Sequence, residues 1–135
     1  MNPINLKKNL HSGEIVFGTL IVSPSPFWPK ALKNLNLDFV FIDTEHIAID
    51  NNQLSWMCRM YSEMEITPIV RITSPNQYDA TMVLDFGAQG VIAPYIENVE
   101  EVVNLRGATK LRPLKGKKLF HILNGEKIES SMIGY

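Results

Sequence analysis

With one cysteine, Cys58, the chain can form no internal disulfide, and a reducing compartment is the simplest home for it. Neither sign of charge dominates. Thirteen basic residues face fourteen acidic ones for a net charge of −1, which argues against the clustered Lys and Arg footprint of a nucleic-acid binder. No apolar run comes near the ~18 residues of a membrane span. Residues 1–10 are polar and lack the apolar stretch of a secretory signal. The expectation is a soluble, cytoplasmic chain with no nucleic-acid and no membrane partner.

Several chemical fingerprints are missing as well. Gly87-Ala88-Gln89-Gly90 is too short for a dinucleotide fingerprint and precedes a strand instead of following one. There is no phosphate-binding P-loop and no His/Cys group at zinc spacing. Ser23-Pro24-Ser25 lacks the strand–turn–helix context of a nucleophile elbow.

What remains is an apolar core and a clear rhythm. Apolar residues make up 45% of 135, enough for one domain over residues 1–135. Residues 4–10 read as a short helix stopped by Gly13. Residues 14–22 look strand-like, and a helix over 27–34 tolerates proline in its first turn. Residues 38–43 form the clearest strand, apolar without alternation, as when protein covers both faces. Asp50 or Asn51 caps the next helix, where Leu54, Met57, Cys58, Tyr61 and Met64 recur at helical spacing. A methionine-rich stripe of this kind is core. Strands at 68–72 and 90–94 follow, separated by a helix over 77–86 that Gly87 stops. Val99, Val102, Val103 and Leu105 mark one more helix. Residues 114–135 carry no strong period and read as a weakly structured tail, with a short helix near 119–123 and a turn at Asn124-Gly125. The basic stretch from Lys110 to Lys118 reads as a solvated loop.

Strands alternating with helices imply an α/β fold with parallel pairing. The strand starts at Asp38, Pro68 and Gly90 suit the ~30-residue unit of an eight-unit barrel. A four-stranded flavodoxin-like sheet fits the pattern equally well.

In such folds active sites gather at the C-terminal strand ends. Asp43, Glu45 and His46 follow one strand, Arg71 ends the next, and Pro94 and Tyr95 follow another. A histidine beside carboxylates serves as a general base near neutral pH, and an arginine facing it holds a carboxylate or developing oxyanion by two hydrogen bonds. That trio suits deprotonation beside the carbonyl of a 2-oxo acid. Plainer readings stand beside it: Asp43 as a loop cap, His46 as an ordinary loop histidine, Arg71 and Asp43 as a structural ion pair. His11 and His121 read as solvated.

Three ordered blocks carry a resemblance. They are residues 38–46 (Asp-Phe-Val-Phe-Ile-Asp-Thr-Glu-His), residues 68–71 (Pro-Ile-Val-Arg) and residues 84–94, from Leu84 through Asp85 to Pro94. Over about residues 5–112 the chain resembles the HpcH/HpaI aldolases, metal-dependent pyruvate aldolases. The resemblance implies a TIM-type β/α barrel, of which about the first four βα units are present. It implies reversible carbon–carbon cleavage of 4-hydroxy-2-oxo acids to pyruvate and an aldehyde, a divalent ion (Mg²⁺, Mn²⁺ or Co²⁺) and no Schiff-base lysine. Carried across, His46 is acid/base machinery and Asp43 its neighbour. Arg71 binds the substrate at the pyruvate oxygen, and Asp85 supports the histidine, across a subunit boundary. Glu45 matches the pattern without an assigned role.

The chain also departs from the family. The metal ligands, a Glu and an Asp, are expected on strands beyond residue 135, so no metal ligand is assigned within this chain. Ile47 stands where glycine is usual, and Lys117-Lys118 replaces an Arg-Gly-rich turn. The expectation is a fragment, a split gene product or a degenerate half-barrel, associating as a homo-oligomer or with a missing C-terminal half. The rivals are a non-catalytic half-barrel that binds 2-oxo acids or serves an assembly, and an acyl-CoA lyase like the citrate-lyase β branch.

Overall fold

A computed structural model describes residues 1–111 and 116–126. The part of the basic stretch at 112–115 and the last part of the expected tail, 127–135, lie outside the described residues.

The fold starts with helix α1 (Pro3–Ser12), whose Asn2 side chain accepts from Asn5 N and whose end is turned by Gly13 at φ 78°, a conformation natural to glycine. Strands β1 (Gly18–Ile21), β2 (Phe39–Asp43), β3 (Thr67–Arg71) and β4 (Gly90–Ile92) alternate with helices α2 (Phe27–Leu32), α3 (Asn51–Glu63), α4 (Gln77–Asp85) and α5 (Val99–Lys110). Helix α6 (Gly116–Leu123) follows, starting a few residues earlier than its sequence pattern suggests. Asp50 and Gln53 form a reciprocal capping box at α3, and Asn98 and Glu101 form one at α5. Both satisfy the orphan N–H groups of a first helical turn.

The strands pair in parallel in the order β1-β2-β3-β4. This order removes the flavodoxin-like alternative, in which the chain reverses direction across the sheet. It is the sequential winding of a TIM-barrel-like fold.

Strand parity divides the sheet. Ile21, Val40, Ile42 and Val70 point to one face and form a single core with Leu32 of α2, Leu54, Met57, Cys58 and Tyr61 of α3, Ala80 and Val83 of α4, and Leu105 of α5. The opposite face carries Leu20, Phe39, Phe41 and Ile69, and none of these belongs to that core. On it the Phe39 ring lies across Gly18, its partner in the ladder, where a Cβ would come within 2.3 Å of the ring. Leu20 and Ile92 stay 46% and 41% exposed.

The strand expected over 14–22 is shorter. Its ladder begins only at Gly18, opposite Phe39; the Phe17 carbonyl still accepts from Asp38 N and Phe39 N, whereas Ile15 has no strand beside it, and both side chains remain exposed. An apolar run becomes a strand only where a neighbour supplies hydrogen bonds.

Candidate active site

Asp43 and Arg71 are the last residues of β2 and β3 and stand opposite one another in the parallel register. Both side chains therefore rise from the same sheet end. Arg71 Nε donates to Asp43 Oδ1 at 3.0 Å, and Arg71 Nη2 donates to Asp43 Oδ2. Phe41, two residues before Asp43 and on the same face, supports the guanidinium with its ring centroid 5.4 Å from Cζ.

The loop after β2 folds back on Asp43. The backbone N–H groups of Glu45 and His46 donate to Asp43 Oδ1 at 3.0 and 3.3 Å. Thr44 Oγ1 donates to the Arg71 carbonyl at 2.6 Å, tying the loop to β3. Asp43 is thus a loop cap and one half of an ion pair at once; both plainer readings of the sequence are realised. The guanidinium beside it, with the backbone donors, holds its carboxyl well below the usual carboxylate range despite opposing burial. Asp43 raises the Arg71 pKa in return.

His46 completes the group. Its Nδ1 lies 3.2 Å from Asp43 Oδ2 and 2.6 Å from Arg71 Nη2, while its side chain stays 62% exposed. Glu45 closes the ring of charges, with Oε2 3.2 Å from Arg71 Nε and Oε1 3.7 Å from His46 Nε2. Tyr95, beyond β4, donates its hydroxyl to Glu45 Oε1. From the residues alone Glu45 has no assigned role and Tyr95 is marked only as lying past a strand end; that position was the one available signal.

Asp85 is not brought to this cluster within the chain. It is the last residue of α4, a nine-residue helix about 13 Å long that runs back from the strand end bearing Arg71. There it lines a cavity of about 540 Å³ between α4, α5 and α6, with Tyr78, Met82, Phe86 and Phe120.

Asp43, Glu45 and His46 offer three possible metal-ligand atoms within 4.8 Å of one another, two oxygens and an imidazole nitrogen of the type divalent ions accept. Sequence reasoning had found no ligand in this chain. The fit is incomplete, because Arg71 already binds both Asp43 oxygens and one Glu45 oxygen. A cation on those atoms would sit against the guanidinium, so the trio does not make a metal seat while Arg71 is in place.

The fold and cluster define a parallel β/α protein with an Asp–His–Arg site at its C-terminal strand ends. No family model matches the chain. It is 28% identical over 112 residues to a hydroxypyruvate/pyruvate aldolase of Roseobacter denitrificans, covering 82% of this chain and 44% of that protein. The solved citrate synthase SbnG superposes with a TM-score of 0.72 at 32% identity, over 89% of this chain and 50% of that one. The HpcH/HpaI aldolase of Desulfitobacterium hafniense, at 22% identity, shares the fold with a TM-score of 0.71, over 94% and 50%. The chain is similar to curated pyruvate-type aldolases and shares the fold of HpcH/HpaI aldolases, and it spans about half the length of the curated relatives it matches.

Proposed function

We propose that this chain is part of a carbon–carbon lyase that cleaves 4-hydroxy-2-oxo acids to pyruvate and an aldehyde, with four βα units of a TIM-type barrel. The observation that carries the reading is the convergence of Asp43, His46 and Arg71 on one strand-end cluster. The names of the aldolase relatives support it.

In the reaction a base takes the proton of the C4 hydroxyl and the C3–C4 bond breaks. C4 leaves as the aldehyde carbonyl, the bonding pair forms the C2–C3 enolate, and a proton returned to C3 gives pyruvate. Arg71 holds the enolate oxygen, because a guanidinium always donates and stays charged. His46 moves the proton. Its two close partners demand opposite tautomers: a donating Arg71 needs a bare Nδ1, whereas Asp43 needs Nδ1–H. A substrate oxygen that draws Arg71 Nη2 away leaves Nδ1–H to Asp43 and opens the Nε2 lone pair as base. Asp85 reaches His46 only from a second copy. The resemblance implies a divalent ion, whose ligands this reading places outside the described residues.

The bare sheet face and the two outer strands, β1 and β4, call for a partner, a second copy or a complementary half-barrel, since unpaired edges and apolar faces seek cover. A second reading, a citrate-forming condensing enzyme, has one observation in its favour, the 32% identity to a solved citrate synthase.

The test is exchange of pyruvate methyl protons into heavy water, followed by NMR with and without Mg²⁺. Metal-dependent exchange that disappears in His46→Ala and in Arg71→Ala supports the lyase. A folded wild-type chain without exchange leaves the non-catalytic half-barrel as the better reading.

A further inference from the structure

We infer that Tyr95 is a positioning residue of this site, clamping Glu45 so that Glu45 in turn fixes Arg71 and His46. The inference goes beyond the lyase reading and rests on it only for the kinetic part of its test.

Tyr95 has φ 54°, in the left-handed region where an L side chain crowds the following carbonyl. Its ring is 67% exposed, so burial does not hold it there. Its hydroxyl does have a partner, Glu45 Oε1. Glu45 is the opposite case, with a side chain only 12% exposed. Its second oxygen lies against Arg71 Nε at 3.2 Å, and its first is 3.7 Å from His46 Nε2.

The topology gives this bond its consequence. Glu45 follows β2 and Tyr95 follows β4, and these strands are not neighbours; β3 lies between them. The Tyr95–Glu45 bond therefore straps two loops together across the strand from which Arg71 rises. A left-handed backbone, which Asn36 and Glu65 also adopt, costs free energy, and at Tyr95 the bond to Glu45 is the contact that offsets it. The phenol is a donor at neutral pH, as an ordinary tyrosine is, and the Glu45 carboxylate raises its pKa further. Without that donor, Glu45 keeps only Arg71 and His46 as partners and is drawn onto the guanidinium, turning Arg71 away from His46.

Tyr95→Phe removes the hydroxyl and keeps the ring; Glu45→Gln removes the charge and leaves the β4 loop alone. The first measurement is the ¹⁵N–¹H NMR spectrum of the Arg71 Nε–H and His46 ring nitrogens. Both variants should move these same signals, and the double variant should move them no further than Glu45→Gln alone. Tyr78→Phe, an exposed tyrosine outside the cluster, should leave them in place. If Tyr95→Phe leaves both signals at their wild-type positions, or if the two shifts add, the clamp is wrong. In pyruvate exchange, Tyr95→Phe should lower kcat at least about tenfold, the scale of a lost supporting contact, with KM unchanged. An equal loss carried by KM would make Tyr95 a substrate contact and overturn the positioning role. A wild-type chain without exchange would sink the lyase reading alone, and the NMR comparison would still decide Tyr95.

Discussion

Arg71 grips Asp43 across adjacent strands with two nitrogens, Nε on Oδ1 at 3.0 Å and Nη2 on Oδ2. The fork is possible because the parallel register sets the two residues opposite each other at the strand ends. A planar guanidinium matches a carboxylate in this way and an ammonium does not. Arg71→Lys should therefore behave like Arg71→Ala in pyruvate exchange. Asp43→Asn should lower the exchange rate at least ~100-fold, the low end for a positioned acid–base group. Near-wild-type exchange in Arg71→Lys would show that charge without the fork suffices.

The same pair makes stability depend on acid. Asp43 has an ordinary pKa of 3.8 and a folded value well below it, set chiefly by Arg71. A carboxyl depressed on folding contributes stability above its unfolded pKa and loses it as pH falls toward the folded value. Wild type should therefore lose urea resistance between about pH 5 and about pH 2, and Asp43→Asn should lose less over that range. Equal slopes for the two proteins would contradict the pairing.

Core titration acts at the other end of the scale. Burial raises the Cys58 thiol from 9.0 to about 12 and the Tyr61 phenol from 10.0 to about 12. Both groups are neutral when protonated, so their stabilising contribution is complete below pH 9 and declines as pH rises from 9 toward 12. Cys58 should also resist thiol reagents until the fold opens, since the thiolate is the reactive form. Labelling of the native protein as fast as of the urea-unfolded chain would refute this.

The uncovered sheet face predicts association. Light scattering at micromolar concentration should find a species heavier than the 15.3 kDa chain. Leu20→Lys with Ile92→Lys, both on exposed positions outside the core, should keep the far-UV circular dichroism and reduce the mass. A sharp monomer in wild type would count against any partner at this face.

Packing supplies a control. Ile42 is fully buried at the centre of the core, and Ile42→Ala should cost about 2–5 kcal/mol in urea unfolding. Asp50→Ala, which removes the α3 cap, should cost about 1 kcal/mol. A reversed order of the two losses would mean that the core has been misplaced.

Much of this architecture was legible in the residues. Continuous apolar runs at 38–43 and 68–72, stop signals at Gly13 and Gly87 and the cap at Asp50 are local, and local sterics and hydrogen bonding decide them. The sequence likewise placed Asp43, His46 and Arg71 at strand ends on one side of the sheet. It did not reach the order of strands, because pairing is a long-range choice that two windings satisfied equally. Nor did it show that Arg71 fills the space between Asp43 and Glu45, which turns a group of possible metal donors into an ion-pair network. Tyr95 on Glu45 lay furthest from view: 50 positions separate them, and only the folding of β4 two strands from β2 brings a phenol and a carboxylate within hydrogen-bonding reach.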